Sequence, residues 1–268
     1  MSLRTRLLLF VAAPLAVVGV LVAVALVWWR WDAGRAPTLG NDIPAMDQAI
    51  AATVTAAGDQ TPVAISGVFA GSACDLGPLH RGGRFTRSAD LYTARGQEDS
   101  LIDQIAAALP PTYRPRRGTS VGGNAAPLTA TAGAGVELSV DQISPGWVVA
   151  RARTGCSSGT AAADNVGDIA DMPGGATVNR LLAALGTGAA QSHRHPLGCP
   201  GGIATLAVVS RPTTATDLTK RLATLVPADG RQISTRSNRL AYRAGGVSVV
   251  VAASDDNTAV TLQYTGPC

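Results

Sequence analysis

The chain has 268 residues, a formal net charge of +4, and 15% charged against 46% hydrophobic residues. Its basic and acidic groups are interspersed, which argues against a nucleic-acid-binding polycation. With only four Trp, four Tyr and three Phe, the core must be built from Leu, Val, Ile and Ala, and aromatic platforms for stacking bases or sugars are scarce.

Residues 7–29 carry no charge, and Pro14 and Gly19 are their only helix breakers. As a helix, such a run spans roughly 35 Å, enough to cross a hydrocarbon core of about 30 Å with some tilt. Arg4 and Arg6 precede it, and Trp28, Trp29, Arg30 and Trp31 follow as interfacial anchors would. A cleavable signal peptide has a shorter apolar region and small residues at its cleavage site, where this chain has Val-Trp-Trp-Arg-Trp. The expectation is a single transmembrane helix at the N-terminus in a membrane anchor over 1–31. The arginine balance slightly favours a cytoplasmic N-terminus.

Residues 32–41 read as a polar linker, and 42–158 and 159–268 as two related modules. Asp42-Ile43-Pro44 opens a helix whose stripe is Met46, Ile50 and Val54. Asp171-Met172-Pro173 opens another, with Val178, Leu181, Leu182 and Leu185 as the stripe and Gly186 as the stop. Further landmarks recur in order. Cys74 matches Cys199, and a strand over Phe85–Tyr92 matches one over Ile203–Val209. A second helix with Leu101, Ile105 and Leu109 matches Leu218, Leu222 and Val226, and two closing strands end at Cys156 and at Cys268. In the first copy Val136, Leu138 and Val140 alternate with Glu137, Ser139 and Asp141, a half-buried strand. Ser144-Pro145-Gly146 and Asp255-Asp256-Asn257 are turn sequences. The second copy is shorter and lacks a counterpart of the apolar stretch Val63–Phe69.

Four cysteines allow three connectivities. The repeat favours pairing within each copy, Cys74–Cys156 and Cys199–Cys268, and an even set of disulfides suits an oxidising compartment. Lys220 is the only lysine among 22 basic residues, a codon bias that suggests a GC-rich, bacterial genome.

Gly118-Thr119-Ser120-Val121-Gly122 fits the nucleophile-elbow pattern. Asp164, Asp168 or Asp171 and then His193 or His195 follow in the order of α/β-hydrolases. Proline-rich sequence before Ser120 and Gly-Asn-Ala-Ala-Pro after it argue for a loop instead of the strand and helix an elbow needs. His193 and His195 in an extended segment would face one way, as metal ligands must. The further ligands would have to come from His80 or Cys199, and an exposed loop is the simpler reading. Arg81, Arg84 and Arg87 cluster, as do Arg114, Arg116 and Arg117. Arg151 and Arg153 project from the outward face of a strand. Arg114, Arg116, Arg117, Arg151 and Arg153 are the candidate contacts for anionic lipid headgroups or envelope polymers.

The fold expectation is α+β: a transmembrane helix, then two modules, each with helices on a small, mostly antiparallel sheet. The functional expectation is a plasma-membrane-anchored, extracytoplasmic binding or interaction protein of the cell envelope. It would have no catalytic activity, no cofactor or metal and no nucleic-acid partner; its partners would be the membrane and a protein or envelope component. The alternatives are an envelope hydrolase with Ser120 as nucleophile, or a structural subunit of a membrane complex.

Overall fold

The structure, a computed structural model, describes residues 20–24, 37–77, 80–161, 164–165, 168–197 and 204–267. The chain divides into two compact units, Met1–Pro37 and Thr38–Cys268. In the first, the described residues 20–24 are helical, with Val20, Leu21, Val22 and Val24 exposed. Nearly all of the expected span over 7–29 thus lies outside the described residues. Among those described, no helix is long and apolar enough to cross a membrane, so the structure lends the span no support.

The second unit holds two α+β modules. In the first, helix α1 (Leu39–Ala56) begins three residues before Asp42. Asp42 is not its cap but a buried acceptor of the Ser157 hydroxyl. Strands β1 (Val63–Ile65), β2 (Phe69–Gly77) and β3 (His80–Tyr92) follow, then α2 (Glu98–Ala108). Strands β4 (Arg116–Arg117), β5 (Leu128–Thr131), β6 (Glu137–Ser144) and β7 (Trp147–Arg153) complete it. The sheet order is β1-β3-β7-β6-β5-β4, with β2 also on β3, and every pairing is antiparallel.

The second module contains β8 (Asp164–Asn165), α3 (Gly175–Ala184), β9 (Ala189–Pro196), β10 (Ala204–Ser210) and α4 (Leu218–Leu222). Strands β11 (Arg231–Arg236), β12 (Arg239–Ala244), β13 (Val247–Ala253) and β14 (Val260–Thr265) follow, in the antiparallel order β11-β12-β13-β14-β10-β9-β8. Leaving out β1 and β8, the two modules share one plan: helix, two strands, helix, four strands. The order β2-β3-β7-β6-β5-β4 is reproduced as β9-β10-β14-β13-β12-β11. The repeat read from the landmarks is therefore a repeat of topology. The extra strand β1 falls in the stretch for which the second copy has no counterpart.

Each sheet buries one face under its helices. Leu91, Leu138, Val140, Val148 and Ala150 meet Met46, Ile50, Leu101 and Ile105 in one core. Leu206, Val208, Leu240, Val249, Val251 and Leu262 meet Val178, Leu181 and Leu182 in the other. The period of two puts alternate residues of every strand on the opposite face. There Ala64, Tyr92 and Trp147 of the first sheet pack on Ile233, Ala241 and Val250 of the second. Arg239 lies 4.4 Å from the Trp147 ring centroid and 5.6 Å from that of Tyr92, a half-buried cation–π seam between the modules.

Cys74 and Cys156 are disulfide-bonded, with Cα atoms 5.9 Å apart and a sequence separation of 82. Cys199 and Cys268 lie outside the described residues. Around the bond the chain after β7 is stitched to β3: Gly83 and Ser157 exchange backbone hydrogen bonds of 2.9 and 3.0 Å. The Phe85 N–H donates to Thr154 Oγ1 at 3.0 Å. The expected turn at 255–257 joins β13 and β14. There the Asp256 carboxylate accepts from the Ser254 hydroxyl at 2.6 Å and the Thr258 N–H at 3.1 Å. These bonds, that of Ser254 foremost, hold its carboxyl down to about 2.

Candidate functional site: an arginine-lined groove

On the first sheet, the face turned away from the helices is only partly covered by the second module. Beyond the Trp147 end the register builds two cross-strand rows. Arg116, Thr129, Ser139, Arg151 and Ser88 stand side by side in one. Thr131, Glu137, Arg153 and Thr86 stand in the next. Together with Arg114, the parts of these rows from Arg116 to Arg151 and from Thr131 to Arg153 line an open groove of ≈ 440 Å³.

Local sequence explains each placement. On β7, Val148, Ala150 and Ala152 go to the core, so Arg151 and Arg153 must point away. Arg114 follows the short 3-10 turn Pro111–Tyr113 and adopts φ 51°, ψ 56°, and Pro115 after it disfavours a right-handed helical conformation. Burial of the neighbouring Tyr113 pushes its phenol pKa up.

The cations are unequally paired. Arg151 bonds Asp141 at 3.3 Å, and Asp141 also accepts the Ser139 hydroxyl at 3.0 Å. Arg114, Arg116 and Arg153 have no carboxylate partner within 4 Å among the described residues; Glu137 stands opposite Arg153 in register. A groove with four guanidinium groups, one lining carboxylate and three hydroxyl side chains is suited to an anion with several oxygens, which guanidinium binds in a planar, two-pronged fashion.

Four of the five arginines singled out in the sequence therefore converge. The fifth does not. Arg117 is one residue on from Arg116 and so faces the helices, where it bonds Asp99, Asp103 (2.9 Å) and the Ala126 carbonyl. Arg87, read as part of a surface cluster, is buried. It pairs with Asp47 of α1 and donates to the Pro196 and Ser66 carbonyls. The polar floor of Thr129, Thr131 and Ser139 was not singled out. Its only signal was strand alternation on β5 and β6.

Ser120 lies exposed in the loop between β4 and β5, and its hydroxyl donates to the Asn124 carbonyl at 2.5 Å. The strand-turn-helix of an elbow is not present around it. His193 and His195 are not in a loop: they lie on β9, both paired with β10 and His193 also with β8, with rings parallel and 6.3 Å apart. They face one way, as an extended segment requires. Among the described residues, however, no group of three or more His, Cys, Asp or Glu is placed to hold a metal ion.

A crevice of ≈ 480 Å³ at the module junction contains Asp47, Arg87 and His195. Its Asp47–Arg87 pair is engaged within the protein, which makes it a poorer ligand site than the groove.

The chain matches no protein-family model and no curated protein. Among solved structures it is similar to that of a DUF4853 family protein from Actinomyces odontolyticus ATCC 17982, at 11% identity and a TM-score of 0.40. That match covers 87% of this chain and 96% of the other. At that score the likeness carries no argument about function.

Proposed function

We propose that this chain is a membrane-tethered, non-catalytic binding protein of the cell envelope, and that its first module takes an anionic envelope component into the arginine groove. The observation that carries the reading is the pair of cross-strand rows placing Arg116, Arg151 and Arg153 beside Arg114 on an open sheet face. Three of these cations lack a carboxylate partner among the described residues. The apolar run 7–29 supports the tether. The Cys74–Cys156 bond supports an oxidising location for residues 32–268.

The test is titration of the full chain, held in phosphatidylcholine nanodiscs, with polyphosphate as a soluble polyanion. Arg116→Ser with Arg153→Ser removes two exposed cations and leaves the core alone. At about 1 kcal/mol for each surface arginine near an anionic array, affinity should fall roughly thirtyfold, and parent binding should weaken with salt. Equal binding by parent and variant would remove the groove from the function. A tag after residue 268 that is reachable only from the cytosol would remove the envelope.

A further inference from the structure

The second module has its own concavity, unrelated to the arginine groove. In the first module α2 has eleven residues and buries Leu101, Ile102 and Ile105. Its topological counterpart α4 has five, after which the chain tightens into a 3-10 turn at Ala223–Leu225. The shortened helix leaves part of the sheet bare. A pocket of ≈ 390 Å³ opens there, with Arg180 and Leu181 of α3 and Leu225 and Val226 among its lining, together with Tyr242 and Tyr264 of the sheet. That volume is within the range of about 300–1,000 Å³ typical of small-molecule sites.

The polar groups in this pocket are few and close together. Tyr264 is set by Gly174: at φ 85° a Cβ there would lie 2.2 Å from the ring, so only glycine lets the ring approach the start of α3. Tyr242 is buried, and its phenol pKa is pushed up by that burial. Arg180 pulls it back and Tyr264 adds to it, so both groups lie close enough to act on Tyr242. Arg180 makes one side-chain hydrogen bond, to Thr177 Oγ1 at 3.3 Å, and no carboxylate pairs with it among the described residues. The rest of the lining is largely apolar. A purely apolar ligand would strip water from the guanidinium without replacing it, and a bare anion would leave the apolar walls wet.

We propose that this pocket binds a small amphiphile, an apolar chain or ring with one anionic end. The anion meets Arg180 and the tyrosine hydroxyls, and the apolar body lies on Leu181, Leu225 and Val226.

Phenylbutyrate is the probe, with phenylbutanol as its neutral counterpart and acetate as the bare anion. Each is titrated into the full chain in phosphatidylcholine nanodiscs, with empty discs as the blank, and followed by tyrosine ring NMR shifts. Phenylbutyrate should saturate at a Kd of roughly millimolar or below, and both controls should bind at least about tenfold more weakly. Arg180→Gln, an exposed change that leaves the core intact, should weaken phenylbutyrate about tenfold. Ala244→Trp, which fills the pocket, should abolish saturation. The proposal is overturned if phenylbutyrate does not saturate, if phenylbutanol binds as tightly, or if Arg180→Gln leaves the affinity unchanged. Neither variant touches the arginine groove, so polyphosphate binding is an independent readout.

Discussion

Arg87 and Arg153 lie on the same sheet, and position alone separates their roles. Arg87 is 3% exposed, on the core side of β3, where its charge is tolerable only because Asp47 and two carbonyls meet it. Arg153 is on the solvent side and has no such partner among the described residues. Truncating Arg87 would remove the guanidinium that meets the Asp47 carboxylate in the core. Arg87→Ala should therefore cost about 3–5 kcal/mol, read as a fall in the urea midpoint at unchanged m-value; a loss below about 1 kcal/mol would mean that the pair is effectively solvated. Three arginines within seven residues looked like a surface cluster in the sequence because the partner of Arg87 is 40 residues away. No local pattern encodes that distance.

At the scale of elements, alternation was legible and pairing was not. The Leu138, Val140 pattern and the outward Arg151 and Arg153 were readable because a strand repeats every two residues. The two-residue β4 is too short to show a period, yet it supplies Arg116. The Leu240, Tyr242 alternation of β12 is present in the sequence but was not singled out. The polar content of β9 disguised it as a loop, because His193 and His195 occupy the face turned from the helices. The disulfide acts at this scale as well. It ties the exposed ribbon β2 to the end of β7, closing 82 residues. In the chain-entropy account, Cys74→Ser with Cys156→Ser should lower stability by about 4–5 kcal/mol. Urea unfolding of the double variant beside the parent, both non-reduced, checks this; equal midpoints would mean that the stitch through Gly83, Thr154 and Ser157 suffices.

At the scale of the molecule, the two sheets meet through faces that no single module explains. Asp90 lies in that seam and accepts the Trp147 Nε1–H at 3.0 Å. Burial is the largest influence on its carboxyl and raises the pKa above the ordinary 3.8. The Trp147 bond, Arg239 and Arg151 pull it partly back. Burial likewise raises the neighbouring Tyr92 phenol. A carboxyl with a raised pKa in the folded state favours the protonated native form. Its contribution to stability is full below about pH 4 and is lost as pH rises through the raised value. Asp90→Asn, which keeps an acceptor for Trp147, should therefore gain stability on the parent at about pH 7 and lose that advantage at about pH 3. The difference in urea midpoints at the two pH values measures it, and a pH-independent difference would contradict the assignment.

Repetition, strand alternation and cysteine order are local or one-dimensional properties. The sequence alone therefore pointed to an α+β body built twice on one plan and favoured the pairing of Cys74 with Cys156, which the structure shows. Which arginines share a groove, which one is consumed in the core, and where a short helix leaves a pocket depend on register between strands far apart in the chain. A shift of one residue in that register would exchange Arg116 for Arg117 on the open face. Only the folded sheet, with its pairings made, decides between them.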